Sequence, residues 1–124
     1  MVSRGHRSLV TWSWAVLALL AAHDLTHLLD DGMDTPLGAL ALVAIPQWLL
    51  LAAVMAIVVR GDPVASRAAA LVLGLTVAVG FAAVHLLPFS PAAFWDVHPA
   101  AISWVLVWAS IAAGLALAAL SRSG

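Results

Sequence analysis

The stretch AAALVLGLTVAVGFAAVHLL, residues 68–87, contains no charged residue and a single histidine. A transmembrane helix needs about 20 mainly apolar residues, and this run has that length. Within lipid, a spanning segment must satisfy its own backbone N–H and C=O groups, which a helix does. The stretch therefore predicts a membrane-spanning helix with a histidine near one end.

Three further runs of the same kind surround this stretch, at residues 9–29, 37–59 and 100–120. Short connections that contain glycine, proline and polar residues join the four runs. Short connections favour antiparallel neighbours in a helical bundle. We therefore predict an all-α fold: an antiparallel, up-down, four-helix transmembrane bundle that forms a single domain over residues 1–124.

The composition agrees with a chain that lies in lipid. Hydrophobic residues make up 65% of it and charged residues 9%, whereas a soluble domain carries about 25% charged residues. The absence of cysteine excludes disulfides and thiolate metal sites. The chain also has no lysine to form a Schiff base, and its net charge of −1 suggests no nucleic-acid partner.

The arginines predict the orientation of the bundle. They occur before the first run, between the second and third runs and after the fourth: Arg4, Arg7, Arg60, Arg67 and Arg122. With four spans these places share one side of the membrane, and arginine-rich flanks stay cytoplasmic. We therefore expect a multi-pass protein of a bacterial plasma membrane with both termini inside, the bacterial origin being suggested by the bias towards Ala, Val, Leu and Arg.

A second interpretation of the N-terminal region treats residues 1–22 as a cleaved signal peptide. A basic start followed by an apolar run is typical of such peptides. Cleavage after Ala22 would place Leu20 at the −3 position, where a small residue is preferred. The mismatch favours a retained helix.

Histidines and aspartates concentrate at one level of the predicted bundle. At 1.5 Å per residue, His23 and His27 lie about 21 and 27 Å along the first helix, and His85 about 26 Å along the third. On the first helix, His23, His27 and Asp30 fall within about 60° of one another, with Asp24 on a neighbouring face. We therefore expect a polar layer in the outer third of the membrane.

Small residues predict which helix faces point inwards, because they let transmembrane helices approach closely. His85 follows Gly74, Ala78 and Ala82 on one face of the third helix. If Pro99 is the first residue of the last helix and His98 caps it, then His98 shares a face with a series of alanines: Ala101, Ala109, Ala112 and Ala116. Three helices would then direct histidines at a common space.

This layer has the donors of a metal site. Imidazole and carboxylate together suit zinc, iron, copper(II) or manganese, and histidines at i and i+4 are a spacing used for zinc. We predict His23, His27 and His85 as ligands of a zinc, iron or copper ion. Asp24 is predicted as a fourth ligand, as a carboxylate that orients an imidazole, or as a general base. His98 and Asp30 are further candidates.

Other functions are compatible with the same residues. His23 or His27 could pair with His85 as axial ligands of haem, although the arginines that would balance the propionates lie on the opposite side. The chain could instead be a non-catalytic membrane subunit, in which a hydrogen-bonded layer without any ligand holds the helices together or responds to pH. Such a subunit would assemble with other subunits or with further copies of itself. Proton or ion passage is the last alternative. If the site is catalytic, we expect metal-activated water to act on a lipid-like substrate.

Overall fold

The computed structural model describes residues 3–29, 37–60 and 62–123, and within them all side chains except those of 28–29 and 37–43. Five helices follow one another through these ranges, and no strand occurs in them. They are α1 (Arg4–Leu29), α2 (Leu37–Val59), α3 (Pro63–His85), α4 (Phe94–Val97) and α5 (Ala101–Arg122). The predicted all-α class is confirmed.

Three of these helices are long and apolar enough to cross a membrane: Arg4–His27, Pro63–His85 and Ala101–Arg122. The helix α2 contributes a shorter apolar segment, Ala44–Val59, which is the part of α2 whose side chains are described. The outer faces of the helices carry large apolar side chains such as Leu49, Val79 and Val105, each more than 60% exposed. Contiguous apolar surface of this kind is unusual on a soluble monomer and is expected where helices meet lipid.

The start of α3 differs from the prediction and has a clear local cause. The helix begins at Pro63 rather than at residue 68 and ends at His85 rather than at 87. The side chain of Asp62 accepts hydrogen bonds from the backbone N–H groups of Val64 and Ala65, both at 2.9 Å. An aspartate N-cap followed by proline is a strong start signal, and it lies before the apolar run. Similarly, α1 begins at Arg4 instead of residue 9.

The predicted start of the last helix is wrong. The helix α5 begins at Ala101, with Ala100 as its N-cap, so Pro99 is not its first residue. His98 instead ends α4, where its backbone adopts a left-handed conformation with φ of 48°. His98 therefore does not cap the last helix.

The predicted inward face of α5 is wrong for the same reason. The prediction placed His98 on the same helical repeat as the alanines, but residues 98–100 are not helical. Ala112 is exposed, and Ala109 and Ala116 are only half-buried. The face that α5 buries is a different one: Val107, Ser110, Ala113, Gly114, Leu117, Ala118 and Ser121.

The closest contact in the bundle joins α3 to α5 at two glycines. A Cβ atom added to Gly74 would lie 2.4 Å from the carbonyl oxygen of Gly114, and one added to Gly114 would lie 2.6 Å from that of Gly74. The two backbones therefore touch, as in membrane helix pairs built on small residues four apart. On the predicted inward face of α3, Gly74, Ala78 and His85 are buried and Ala82 is half-buried, so this face does point into the bundle.

The helices α1 and α2 complete the core around this pair. The buried face of α1 packs against α5 and α3 with four large apolar side chains: Leu9, Val16, Leu17 and Leu20. The helix α2 packs against α3 and buries Leu51, Met55 and Val58. The ends of α2 and α3 are also joined by the hydroxyl of Ser66, which donates to the carbonyl oxygen of Ile57 at 3.3 Å.

The glycine contact yields a stability prediction. We expect Gly74→Ala and Gly114→Ala each to lower the free energy of unfolding by about 1–3 kcal/mol, the usual cost of overpacking. Gly80→Ala is the matched control in the same helix, because its Cβ would meet nothing within 4 Å. It should leave stability unchanged or raise it by up to about 1 kcal/mol. Denaturant unfolding in micelles measures all three, and equal stability of the Gly74 and Gly80 variants would contradict the contact.

Candidate metal centre

Three histidines meet between α1 and α3. His23 and His27 stand one turn apart on α1, and His85 is the last residue of α3. One ring nitrogen from each lies within 4.8 Å of the others. His23 and His85 are both 5% exposed, and His27 is half-buried. The predicted convergence of these rings is confirmed, and they lie close enough together to hold a metal ion.

One separation in the cluster matches that between metal ligands. The Nε2 atoms of His23 and His27 are 3.2 Å apart, and two nitrogens bound to a tetrahedral zinc ion lie about 3.3 Å apart. The largest separation in the group, 4.8 Å, exceeds that value by about 1.5 Å.

Aromatic rings enclose the cluster. The ring of Phe81 lies 4.7 Å from that of His23, and the ring of Phe94 lies 4.6 Å from that of His85, measured between centroids. Phe94 belongs to α4 and packs in turn on Trp104 of α5, at 5.0 Å. These walls remove water from the histidines, which strengthens every electrostatic interaction between them and a bound charge.

Two of the buried ring nitrogens lack partners. Within the described part of the chain, Nδ1 of His23 and Nδ1 of His85 accept and donate no hydrogen bond. Leaving a buried polar atom unpaired costs about 1–3 kcal/mol. Such atoms are few in folded proteins and point to an ion, a water molecule or a functional role.

Asp24 links the cluster to α2. Its Oδ2 atom accepts a hydrogen bond from Nε1 of Trp48 at 2.9 Å and a longer one from the amide of Gln47 at 3.4 Å. Its other oxygen, Oδ1, lies 3.7 Å from Nδ1 of His23. At 3.7 Å the carboxylate and the His23 ring make no hydrogen bond, so each of the roles predicted for Asp24 stays a prediction.

The remaining candidates are not part of the three-histidine group. His98 is exposed, and its Nδ1 atom lies 3.0 Å from the backbone oxygen of Asp96. Asp30 lies outside the described residues, so its role stays a prediction.

The residues that support the cluster were not among those predicted from the sequence. Phe81 lies one turn before His85, and this spacing could have indicated a shared face. Gln47 and Trp48 follow Pro46 inside an apolar segment, where buried N–H groups need acceptors. Asp24 was an available acceptor at membrane depth. No sequence signal identified Phe94, because its position depends on the turn after α3.

No protein-family model, no curated protein and no solved structure matches this chain. The His23 ring lies 4.4 Å from that of His27 and 4.9 Å from that of His85, measured between centroids. A haem bound through His85 and either His23 or His27 would have to separate rings whose centroids are 4.9 and 6.2 Å apart, because the macrocycle lies between its two axial ligands. The cluster suits a bare ion better.

We expect Trp48→Phe to lower the free energy of unfolding by about 0.5–2 kcal/mol, because it removes the donor to Asp24 from within an apolar bundle. Trp108→Phe is the matched control, since Trp108 is 53% exposed on α5. Thermal unfolding of both variants in the same detergent checks this. Equal melting temperatures would show that the bond between Trp48 and Asp24 contributes nothing to stability.

Proposed function

We propose that this chain is an integral membrane protein that binds a divalent transition-metal ion through His23, His27 and His85, with Asp24 as the supporting carboxylate. The observation that carries the proposal is the convergence of three ring nitrogens within 4.8 Å, inside a bundle with apolar outer faces. Zinc fits this donor set and spacing best. Iron and copper(II) accept the same donors.

Three imidazole ligands are the pattern of zinc sites that act on substrates rather than only stabilise a fold. A metal in such a site polarises an oxygen atom or activates a bound water molecule. The chain itself would contribute neutral imidazoles, a carboxylate beside His23 and aromatic walls from Phe81 and Phe94. These walls limit the access of bulk water to the metal.

The second candidate function is a non-catalytic membrane subunit with a hydrogen-bonded or pH-sensing histidine layer. The contact of 3.2 Å between His23 and His27 favours it, because one proton shared between the two Nε2 atoms would explain this distance. The Nδ1 atom of His85, which makes no hydrogen bond among the described residues, counts against it. A structural layer is expected to satisfy its own buried polar atoms, whereas a ligand site is completed by its ligand.

The proposal includes a bundle of four antiparallel spans in a bacterial plasma membrane, with both ends cytoplasmic. Its support is the length and composition of α1, α3 and α5 together with the apolar sequence of α2. The five arginines then lie on one side, as the positive-inside rule requires. The histidine cluster is placed near the opposite surface.

The metal site predicts a pattern of bound metal. Protein purified without chelator should carry a stoichiometric transition metal, which His23→Ala and His85→Ala should each abolish because they remove a ligand. Asp24→Asn should weaken metal affinity by about 10–100-fold, the usual effect of losing a carboxylate that orients a ligand. Elemental analysis and competition with a chromogenic chelator measure both quantities.

The control for this experiment is His98→Ala, since His98 is exposed and lies outside the three-histidine group. It should retain full metal content. Chelation should also lower the melting temperature of the wild-type protein and leave that of His23→Ala unchanged, because a ligand stabilises only the state that binds it. Metal-free wild-type protein that melts at the same temperature with and without added zinc would leave the non-catalytic subunit as the better function.

The orientation predicts accessibility to a membrane-impermeant thiol reagent. The chain has no cysteine, so single-cysteine variants have no background. In intact cells Ser90→Cys, in the loop before α4, should react, whereas Ser3→Cys and Ser123→Cys should react only after the cells are opened. Reaction of Ser3→Cys and Ser123→Cys on opposite sides would show an odd number of spans and contradict the four-span proposal.

A further inference from the structure

The nitrogen atoms of the histidine cluster are almost inaccessible from the surface. His23 and His85 are both buried, and among the described residues their Nδ1 atoms expose almost no surface. His27 is half-buried, so it is the member of the group that a ligand from outside reaches first. A ligand that contacts all three rings must therefore pass a part of the protein that moves aside.

The side of the bundle does not offer a passage for an ion. A groove of about 330 Å³ between α1, α2 and α3 borders His23 and His85. Leu50 and Val84 also line it, and both are exposed on the apolar outer surface of the helices. Under the proposed function this surface meets lipid, and moving an ion through hydrocarbon is strongly unfavourable. We therefore expect an ion to enter at the outer ends of the helices, where they meet water.

The short helix α4 lies across the outer end of the cluster. Its first residue, Phe94, is 3% exposed. The Phe94 ring packs on that of His85, the last residue of α3, and on that of Trp104 in the first turn of α5. Phe94 therefore connects the ends of two long helices and covers His85 at the same time.

One side-chain hydrogen bond fastens α4 to the end of α3. Nε1 of Trp95 donates to the carbonyl oxygen of Leu86 at 2.8 Å, and the Trp95 ring packs on that of Trp104 at 4.8 Å between centroids. Trp95 is 54% exposed, so water can replace the carbonyl when this bond opens. Opening then leaves no buried donor unpaired, which keeps its cost low.

The segments on either side of α4 are suited to act as hinges. The helix has only four residues, and residues 86–93 before it and 98–100 after it are not helical. Lid motions are usually absorbed by a few loop residues or residues at the ends of helices. Movement about these two segments would leave α3 and α5 in place, because their backbones touch at Gly74 and Gly114.

We propose that residues 86–98 form a lid over the histidine cluster. The lid opens at the hydrogen bond between Trp95 and Leu86, withdraws Phe94 from His85 and admits a divalent transition-metal ion from the water at the outer surface. The entry of an ion rests on the proposed function, whereas the lid itself does not. In the closed state aromatic rings exclude water from the site, and in the open state its ligand exchanges.

Thiol labelling at position 85 tests the lid, because the chain has no cysteine of its own. In the full-length His85→Cys protein, a small charged methanethiosulfonate should reach the thiol only when the lid opens. The reaction rate then follows the population of the open form, provided that opening and closing are fast. Ser110→Cys is the buried reference, since Ser110 is fully buried on α5, six residues further into the bundle than Trp104.

Two lid variants should accelerate labelling at position 85. Trp95→Phe keeps an aromatic ring but removes the N–H donor, so it should raise the rate by about 3–10-fold, the effect of one ordinary hydrogen bond. Phe94→Ala removes the covering ring and should raise the rate by more than about tenfold. Trp108→Phe is the matched control and should leave the rate unchanged. Neither lid variant should change the labelling of Ser110→Cys, which requires the bundle itself to open.

An unchanged rate at position 85 in both lid variants would overturn the proposal. A parallel increase at positions 85 and 110 would also overturn it, because it would indicate loosening of the whole bundle. Metal exchange is measured separately in protein that retains all its histidines. If zinc binds, a chelator should remove it from Trp95→Phe faster than from wild type by the same factor as the labelling rate, and equal release rates would show that the ion does not use the lid. Labelling as predicted in protein that binds no zinc supports the lid and removes only the metal site.

Discussion

The approach of α3 to α5 at Gly74 and Gly114 is the constraint on which the rest of the bundle depends. Backbone atoms that touch cannot be repacked by rotating a side chain, so this contact determines both the depth and the rotation of α3. His85 lies eleven residues after Gly74, which returns it to within about 20° of the same helix face. The face that meets α5 therefore carries its final residue into the interior, where α1 supplies the other two histidines.

Every helix contributes to the surroundings of the cluster. The histidines come from α1 and α3, an aromatic wall comes from α4, and α5 supports that wall through Trp104. The helix α2 takes part through the bond from Trp48 to Asp24. Burying imidazoles among apolar side chains is unfavourable unless something compensates for the lost water. Under the proposed function, a bound metal ion would supply this compensation.

The length and type of the helices could be predicted from the sequence, because hydropathy and the needs of the backbone in lipid determine both. The range predicted for α2, residues 37–59, agrees with the structure. The pairing of His85 with His23 and His27 could be predicted because each lies on an uninterrupted helix, where the periodicity carries direction over several turns. The face of α5 could not, since the non-helical residues 98–100 separate His98 from that helix. Trp48 was missed because α2 is apolar all round, so its sequence does not show which side meets Asp24.

The left-handed backbone of His98 accounts for the residue type at this position without reference to its imidazole. Among residues with a side chain, asparagine, aspartate and histidine tolerate positive φ best, and glycine adopts it freely. The backbone at position 98 adopts a conformation that reverses the chain between α4 and α5, and this reversal does not require an imidazole ring. A chain with asparagine or glycine here would follow the same path and would still bring the wall of Phe94 against the buried histidines. Of two histidines only thirteen positions apart, His85 brings its ring against the other buried histidines, whereas His98 gives the chain its reversal.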